Sequence, residues 1–509
     1  MSTPGGGSSG RGAFRCLSRA IQGIHDSGSY EVEQDRLRVQ ASRRIGNRLM
    51  QTIIESLAQF ASELQYEQLP PAVVDKAKVC VLDLLGIAVA GSCRDNWKVA
   101  LKTASRLGSS GNATVWMTSN AARAIDAVLP NSVAAHCILQ DDWLQVSHSH
   151  IGAAVIPTAI AVCEEERRSG RELIASIVAA YDVEDRAGYL AVPAFTRGFR
   201  ASSVYSYFGA AAAAGTLMRL DKEQMANALG CAGSLCGGVL QPWNEGSMEW
   251  SFQEAFGSRA GITASYLARD GLVGSKHVLE GSHGVNRSFS GTNAEERGAL
   301  HELGTHFHII DTCFKRFPTG GANQGSASVA HRLQSKHNID YRRIARVEVD
   351  IPKGGTHERM NYAGIDYRGP FQSIDQCLIS KQFTIAMNLK TGDMRLSEVE
   401  KERTDPGFLT LARKIELREV AGMNGWDLRM RIDLDDGTKI EGNGDDIDQS
   451  QLYLSWSDAA EKFAQVTHGL KNEREMKEIV NTVKALDALD SITPLTRLMK
   501  AGAKAPALG

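Results

Sequence analysis

The sequence predicts a mainly α-helical protein with some α+β character: a large all-helical domain plus a smaller α+β lid domain. Three observations predict this. Between residue 45 and about residue 295, apolar residues recur at helical spacing and strand signals are scarce. After about residue 300, strand-like alternation appears in "FHIIDTCFKRF", "IARVEVDIP" and "LRMRIDLDDGTKIEG". The composition is 43% apolar but only 6% aromatic, with 49 glycines, which suits closely packed helices with small contact residues.

Taken in order, "NRLMQTIIESLAQFASEL" has the spacing of a first amphipathic helix. In "LPPAVVDKAKVCVLDLLGIAVAGS", Pro71 suits a helix start and the helix is expected to end near Gly91. "NAARAIDAVLPNSVAAHCIL", "RELIASIVAAYDVEDRAGYLA" and "YFGAAAAAGTLMRL" read as further small-residue helices. "DKEQMANALGCAGSLCGG" has the acidic first turn that the helix dipole favours, and "FQEAFGSRAGITASYLARDGL" stops near Gly271. Later, "GSASVAHRLQSK" and "QCLISKQFTIAMNL" are helical, "DDGT" (435–438) marks a hairpin turn, and the stretch from Ser455 onward is helical again. The expected organisation is a flexible tail over 1–45, a helical domain over 46–298, a lid over 299–451, a helical return over 452–500 and a short tail over 501–509.

The bulk numbers exclude several functions. A net charge of −2 over 509 residues gives no field for nucleic acid or anionic lipid. No run of about 18 apolar residues could cross a membrane. Nine scattered cysteines without a C-x-x-C pair read as reduced thiols in a cytoplasmic protein. The first residues are rich in Gly, Ser and Arg with no acid before Asp26, so a mitochondrial transit segment is the alternative to a flexible tail. No dinucleotide or P-loop signature is present, and neither "HSH" (148–150) nor "HFH" (306–308) comes with further ligands for zinc; no cofactor and no metal are expected.

Chemistry concentrates where polar clusters precede oily helices. "DDWLQVSHSHIGAAVIPTAIAV" sets Asp141, Asp142 and His150 before a helix expected to start near Ile151. Adjacent carboxylates raise one another's pKa, and histidine can move a proton either way near neutrality. "TRGFRASSVYSYFGAAAAAG" repeats the design with Arg200 and Ser203, and arginine grips carboxylates with two prongs. "DTCFKRFPTGGANQG" places Lys315 and Arg316 beside a Gly-rich turn with Gln324. "NEGSMEWSFQEAFGSRAG" adds Glu249, Gln253, Glu254 and Arg259, which read first as a helix surface. Together these stretches suit a pocket for a small polycarboxylate.

These stretches, with "AKVCVLDLLGIAVAGS" and the late "ITPLTRLM", fall in an order that resembles the MmgE/PrpD family over roughly residues 48–500. The resemblance implies a helical domain with an α+β lid, a homodimer, no organic cofactor, and lyase chemistry beside a carboxylate. It implies Asp141, Asp142 and His150 as catalytic residues. By their own chemistry His150 is the expected proton donor with Asp142 setting its charge and orientation, Arg200, Lys315 and Arg316 are expected to hold carboxylates, and Gln324 and Ser203 to add hydrogen bonds. Four positions depart from the family pattern: Trp143–Leu144 follows the acids where Thr or Tyr–His is usual, Arg200 stands in place of a His, Trp250 in place of the decarboxylases' Lys, and Gly320 or Gln324 in place of a later His. Decarboxylation of cis-aconitate is the expected reaction. The alternatives are dehydration of a 2-methylcitrate-like acid, epimerisation of a dicarboxylate, and a catalytically impaired binding homologue.

Overall fold

Helix caps and small-residue contacts organise the first half of the chain. Thr52 opens α1 (Ile53–Glu63): its hydroxyl accepts from Glu55 N, and the Glu55 carboxylate accepts from Thr52 N. Two amides left over at a helix start are thereby paired. Pro71 takes the first position of α2 (Pro71–Gly91), where its missing N–H costs nothing. There follow α3 (Asp95–Leu107), α4 (Ala124–His136), α5 (Ile151–Glu165), α6 (Gly170–Ala187), α7 (Ala201–Leu217), α8 (Lys222–Leu235) and α9 (Gln253–Arg269). In this computed structural model, residues 51–500 are described apart from 109, 293–295, 354–365, 424–427 and 445–451. The expected tails over 1–45 and 501–509 lie outside the described residues.

Helix α7 is the hub, packed against α5, α6, α8 and α9. The Ala- and Gly-rich sequence permits the closeness of that packing. A Cβ on Gly257 of α9 would lie 2.2 Å from Ser206 Oγ, and one on Gly261 would lie 2.5 Å from the Ala210 Cβ. Any larger residue there would push α9 off α7.

The α+β part holds α10 (Gln324–His337), β1 (Ile344–Pro352), α11 (Lys381–Thr391), β2 (Ile415–Val420), β3 (Arg429–Leu434) and β4 (Lys439–Asn443). The sheet order is β2-β1-β3-β4; β1 and β2 are parallel and the other pairs antiparallel. Val347, Val349, Met430 and Ile432 face the core. On the other face Arg431 makes a forked pair with Asp350 at 3.0 and 3.1 Å. The expected hairpin is present, with Ile432 opposite Ile440.

Several features differ from expectation. The helices α3 (Asp95–Leu107), Leu396–Glu402 and Pro406–Arg413 have no counterpart in the sequence reading. "FHIIDTCFKRF" forms no strand: His308–Asp311 is a 3₁₀ turn, and Cys313 alone pairs, antiparallel, with Trp143. The edge strand β2 has no counterpart in the sequence reading. Its charged "IELREV" is held by parallel pairing to β1, a contact made across a long helical connection.

The chain closes with α12 (Trp456–Thr467) and α13 (Glu473–Lys484). α12 lies on α2, where Lys462 Nζ pairs with the buried Asp83 at 2.7 Å and donates to Gln140 O at 3.0 Å. The helical return therefore reaches the loop that carries Asp141 and Asp142.

Candidate active site

Four segments converge after α4. His136 is the last residue of α4 and is fully buried. Asp141 and Asp142 follow in the loop. Trp143 and Cys313 exchange two backbone hydrogen bonds of 2.9 Å, which brings Lys315 across to the acids. His150 precedes the first turn of α5 and Arg200 the first turn of α7, while Glu254 lies in the first turn of α9.

Asp141 is the junction. Its Oδ1 accepts from Lys315 Nζ at 3.1 Å and its Oδ2 from His136 Nδ1 at 2.8 Å. Burial would raise this carboxyl, but Lys315, His136 and His150 outweigh it and hold Asp141 well below the usual carboxylate range. His136 then passes the network to Arg200, whose Nη2 donates to His136 Nε2 at 2.6 Å. An ionised carboxylate only accepts and a guanidinium only donates, so His136 carries its proton on Nδ1. Arg200 is 2% exposed. It pairs with Glu254 at 2.9 Å, donates to Trp250 O at 2.8 Å, and lies against the rings of Trp243 and Trp250.

His150 is the one member with partial access, its side chain 12% exposed. Its Nδ1 is 3.0 Å from Lys315 Nζ, 2.9 Å from Asp142 O and 3.6 Å from Asp141 Oδ2. Burial and then the Lys315 charge push its pKa well below the ordinary histidine value, and burial lowers Lys315 as well. His150 N donates to Ser202 Oγ at 3.1 Å, which ties the loop to α7.

Asp142 turns its carboxylate the other way. Oδ1 accepts from Gly152 N at 3.0 Å, at the positive end of α5, and Oδ2 accepts from Tyr181 OH at 2.5 Å. Burial, with Asp141 and Asp83 nearby, pushes its carboxyl up to about 7. Gly152 is required here: a Cβ would sit 2.6 Å from Asp142 Oδ1 and 2.8 Å from Tyr181 OH. His148, in the same loop, has φ +53° and packs edge-on against Phe195; with Leu139, also at φ +53°, the loop path includes two residues in the left-handed region.

Of the residues expected from sequence, Asp141, His150, Lys315 and Arg200 share one network, and Asp142 touches it through its backbone oxygen. Ser203 Oγ donates to Gln253 Oε1 at 2.8 Å, beside Arg200. Arg316 and Gln324 stand outside the network. Arg316 is exposed and reaches His331 Nε2 at 2.9 Å. Gln324 braces its own turn: Oε1 accepts from Arg316 N and Phe317 N, and Nε2 donates to Phe317 O and Thr319 O. Sequence reasoning missed His136 and set Glu254 on a helix surface, whereas Glu254 is fully buried. The available signal was a histidine five residues before Asp141 at a helix end.

Fold and site together define a helical scaffold with an α+β layer around a buried histidine–lysine–carboxylate cluster able to move protons. The chain belongs to the MmgE/PrpD family: the family's N-terminal domain matches residues 55–297 and its C-terminal domain residues 317–487. Similar curated proteins are named cis-aconitate decarboxylase. The human protein is 25% identical over 89% of this chain and 95% of its own length. The Aspergillus terreus protein is 24% identical over 89% of this chain and 97% of its own length. The mouse protein is 23% identical over 89% and 94%.

Proposed function

We propose that this protein is a lyase that decarboxylates a small polycarboxylate of the cis-aconitate type. One observation carries the reading: His150, the accessible member of the cluster, touches a buried ammonium that is itself held by the ionised Asp141. Loss of carbon dioxide leaves an electron pair on carbon next to an alkene. A ring N–H at the edge of a water-poor site is suited to return a proton there. His150 is the proton donor in this reading. Arg200 and Lys315, each paired with a carboxylate, supply fixed hydrogen-bond donors beside His150 that stabilise the charge developing on the substrate. Ser203, next to Arg200, adds a hydrogen bond. Arg316 and Gln324 drop out of the substrate contacts, because one points to His331 and the other is saturated within its turn. In this reading the described parts of the helical domain and of the lid both contribute to this cluster, the active unit is a homodimer, and no cofactor takes part.

The Trp250 position supports the decarboxylase reading despite its departure from the family pattern. The Arg200 guanidinium lies over the Trp250 ring, 5.8 Å from its centroid, so a cationic group, paired with Glu254, stands beside this position from the residue that precedes α7. The test is proton NMR of the purified full chain in heavy water with cis-aconitate, trans-aconitate and 2-methylcitrate in separate tubes. The expected result is loss of one carboxyl group from cis-aconitate with one deuterium on the product, abolished in His150→Ala. Water loss from 2-methylcitrate alone would replace this reading with a dehydratase. Unchanged turnover by His150→Ala would remove His150 from the chemistry.

A further inference from the structure

His150 Nδ1 has two partners that make opposite demands. Lys315 Nζ, 3.0 Å away, is an ammonium paired with Asp141 and needs Nδ1 as an acceptor. Asp142 O, 2.9 Å away, is a carbonyl and needs Nδ1 as a donor. Both cannot be satisfied in one protonation state. The surroundings decide which state rests and which follows. Facing the ring are Lys315 from the segment after Cys313, Asp141 and the Asp142 carbonyl from the loop, His136 from α4 and Arg200 from α7; Lys462 and Asp83 stand behind Lys315. Asp141 anchors the ammonium, so at rest Lys315 donates to Nδ1 and the ring carries its proton on Nε2.

We propose that Lys315 is the proton reservoir behind His150, so that the proton given to substrate by Nε2 is replaced at Nδ1 by one from Lys315. This rests on the decarboxylase reading above. The step balances. The C–C bond to the departing carboxylate breaks and its electron pair moves to carbon; the Nε2–H bond breaks and a C–H bond forms. At the same time an Lys315 N–H bond breaks and an Nδ1–H bond forms. His150 ends as the other neutral tautomer, with Nδ1–H donating to Asp142 O, and Lys315 ends as a neutral amine; the cycle closes when Nδ1 returns its proton to Lys315 and Nε2, on the accessible ring, takes one from solvent. The substrate sheds one negative charge as carbon dioxide leaves a dianion, and Lys315 sheds one positive charge. The buried site therefore holds the same net charge before and after. Neither imidazolium nor imidazolate forms, which suits a ring and an amine whose burial disfavours charge on both. The two contacts at Nδ1 are the start and end points of the transfer.

The experiment is long-range ¹H–¹⁵N correlation NMR on full-length protein labelled at histidine nitrogen, with His150 assigned by difference from His150→Gln among the 13 histidines. Wild type is expected in the Nε2–H tautomer, and Lys315→Met in the Nδ1–H tautomer. Lys315→Arg keeps a donor at Nδ1 and so keeps the Nε2–H tautomer. Arginine does not give up its proton, so kcat on cis-aconitate falls by about 100-fold with KM within about threefold. A wild-type Nδ1–H tautomer, or a Lys315→Arg kcat within about threefold of wild type, would overturn the reservoir. If the tautomers behave as expected but cis-aconitate is not consumed, the decarboxylase reading fails while the Lys315–His150 coupling stands.

Discussion

Asparagine at position 141 keeps the shape of the side chain and removes the charge that holds Lys315. Both partners are fully buried, 3.1 Å apart. Two routes are open to the variant, and the cheaper sets the loss. Keeping an unpaired buried ammonium costs about 3–5 kcal/mol. Releasing the proton costs 1.36 kcal/mol for each pH unit below the ordinary lysine value of 10.5, or about 5 kcal/mol at pH 7 and about 2 kcal/mol at pH 9. Asp141→Asn is therefore expected to lose about 3–5 kcal/mol at neutral pH and only about 2 kcal/mol at pH 9. The sign follows from linkage: burial holds folded-state Lys315 below its unfolded value, so the unfolded chain binds more protons and stability rises with pH. The variant, with a lower value still, gains more than wild type until wild-type Lys315 begins to release its own proton. Urea unfolding followed by tryptophan fluorescence at pH 7 and pH 9 reads both numbers. A loss under about 1 kcal/mol at pH 7, or the same loss at both pH values, would refute Asp141 as the counter-ion.

Asp142→Asn tests the neighbouring carboxyl. A folded-state value near 7 against an ordinary 3.8 means that its contribution is full below about pH 4 and lost as the pH rises through 7. The variant should gain about 2–3 kcal/mol on wild type between pH 5 and pH 8 in the same urea assay, and parallel curves would contradict the burial argument. Gly152→Ala drives a methyl into Asp142 and Tyr181 and should cost about 1–3 kcal/mol, seen as a lowered unfolding midpoint. Gln324→Ala strips the brace from the turn after Lys315 and should cost about 2–4 kcal/mol with KM little changed. A raised KM at unchanged stability would return Gln324 to the substrate.

Much of the site was legible because polar clusters stand directly before small-residue helices. The start of α5 at Ile151 and the candidacy of Asp141, His150, Arg200 and Lys315 follow from that design, while their meeting does not. The direction of each carboxylate was not legible. Asp141 and Asp142 are adjacent in the loop, yet one side chain faces Lys315 and the other faces Gly152 N. Arg316 looked equivalent to Lys315, yet it is exposed at a bend while Lys315 is fully buried.

Sequence alone determined most of the helices of the first half, the sheet's hairpin and the small-residue packing, since these depend on contacts within a few residues or on a repeating period; α3 has no counterpart in that reading. Capping boxes such as Thr52–Glu55 and the Pro71 helix start are settled over three or four positions. Tertiary structure alone decided which buried charges meet. Lys315 lies 174 residues from Asp141, Arg200 lies 64 from His136, and the β1–β2 parallel pairing closes over a long connection. No local period encodes such separations. They are set when α4, α5, α7 and α9 pack together and each charge removed from water must find its partner in the space that packing leaves.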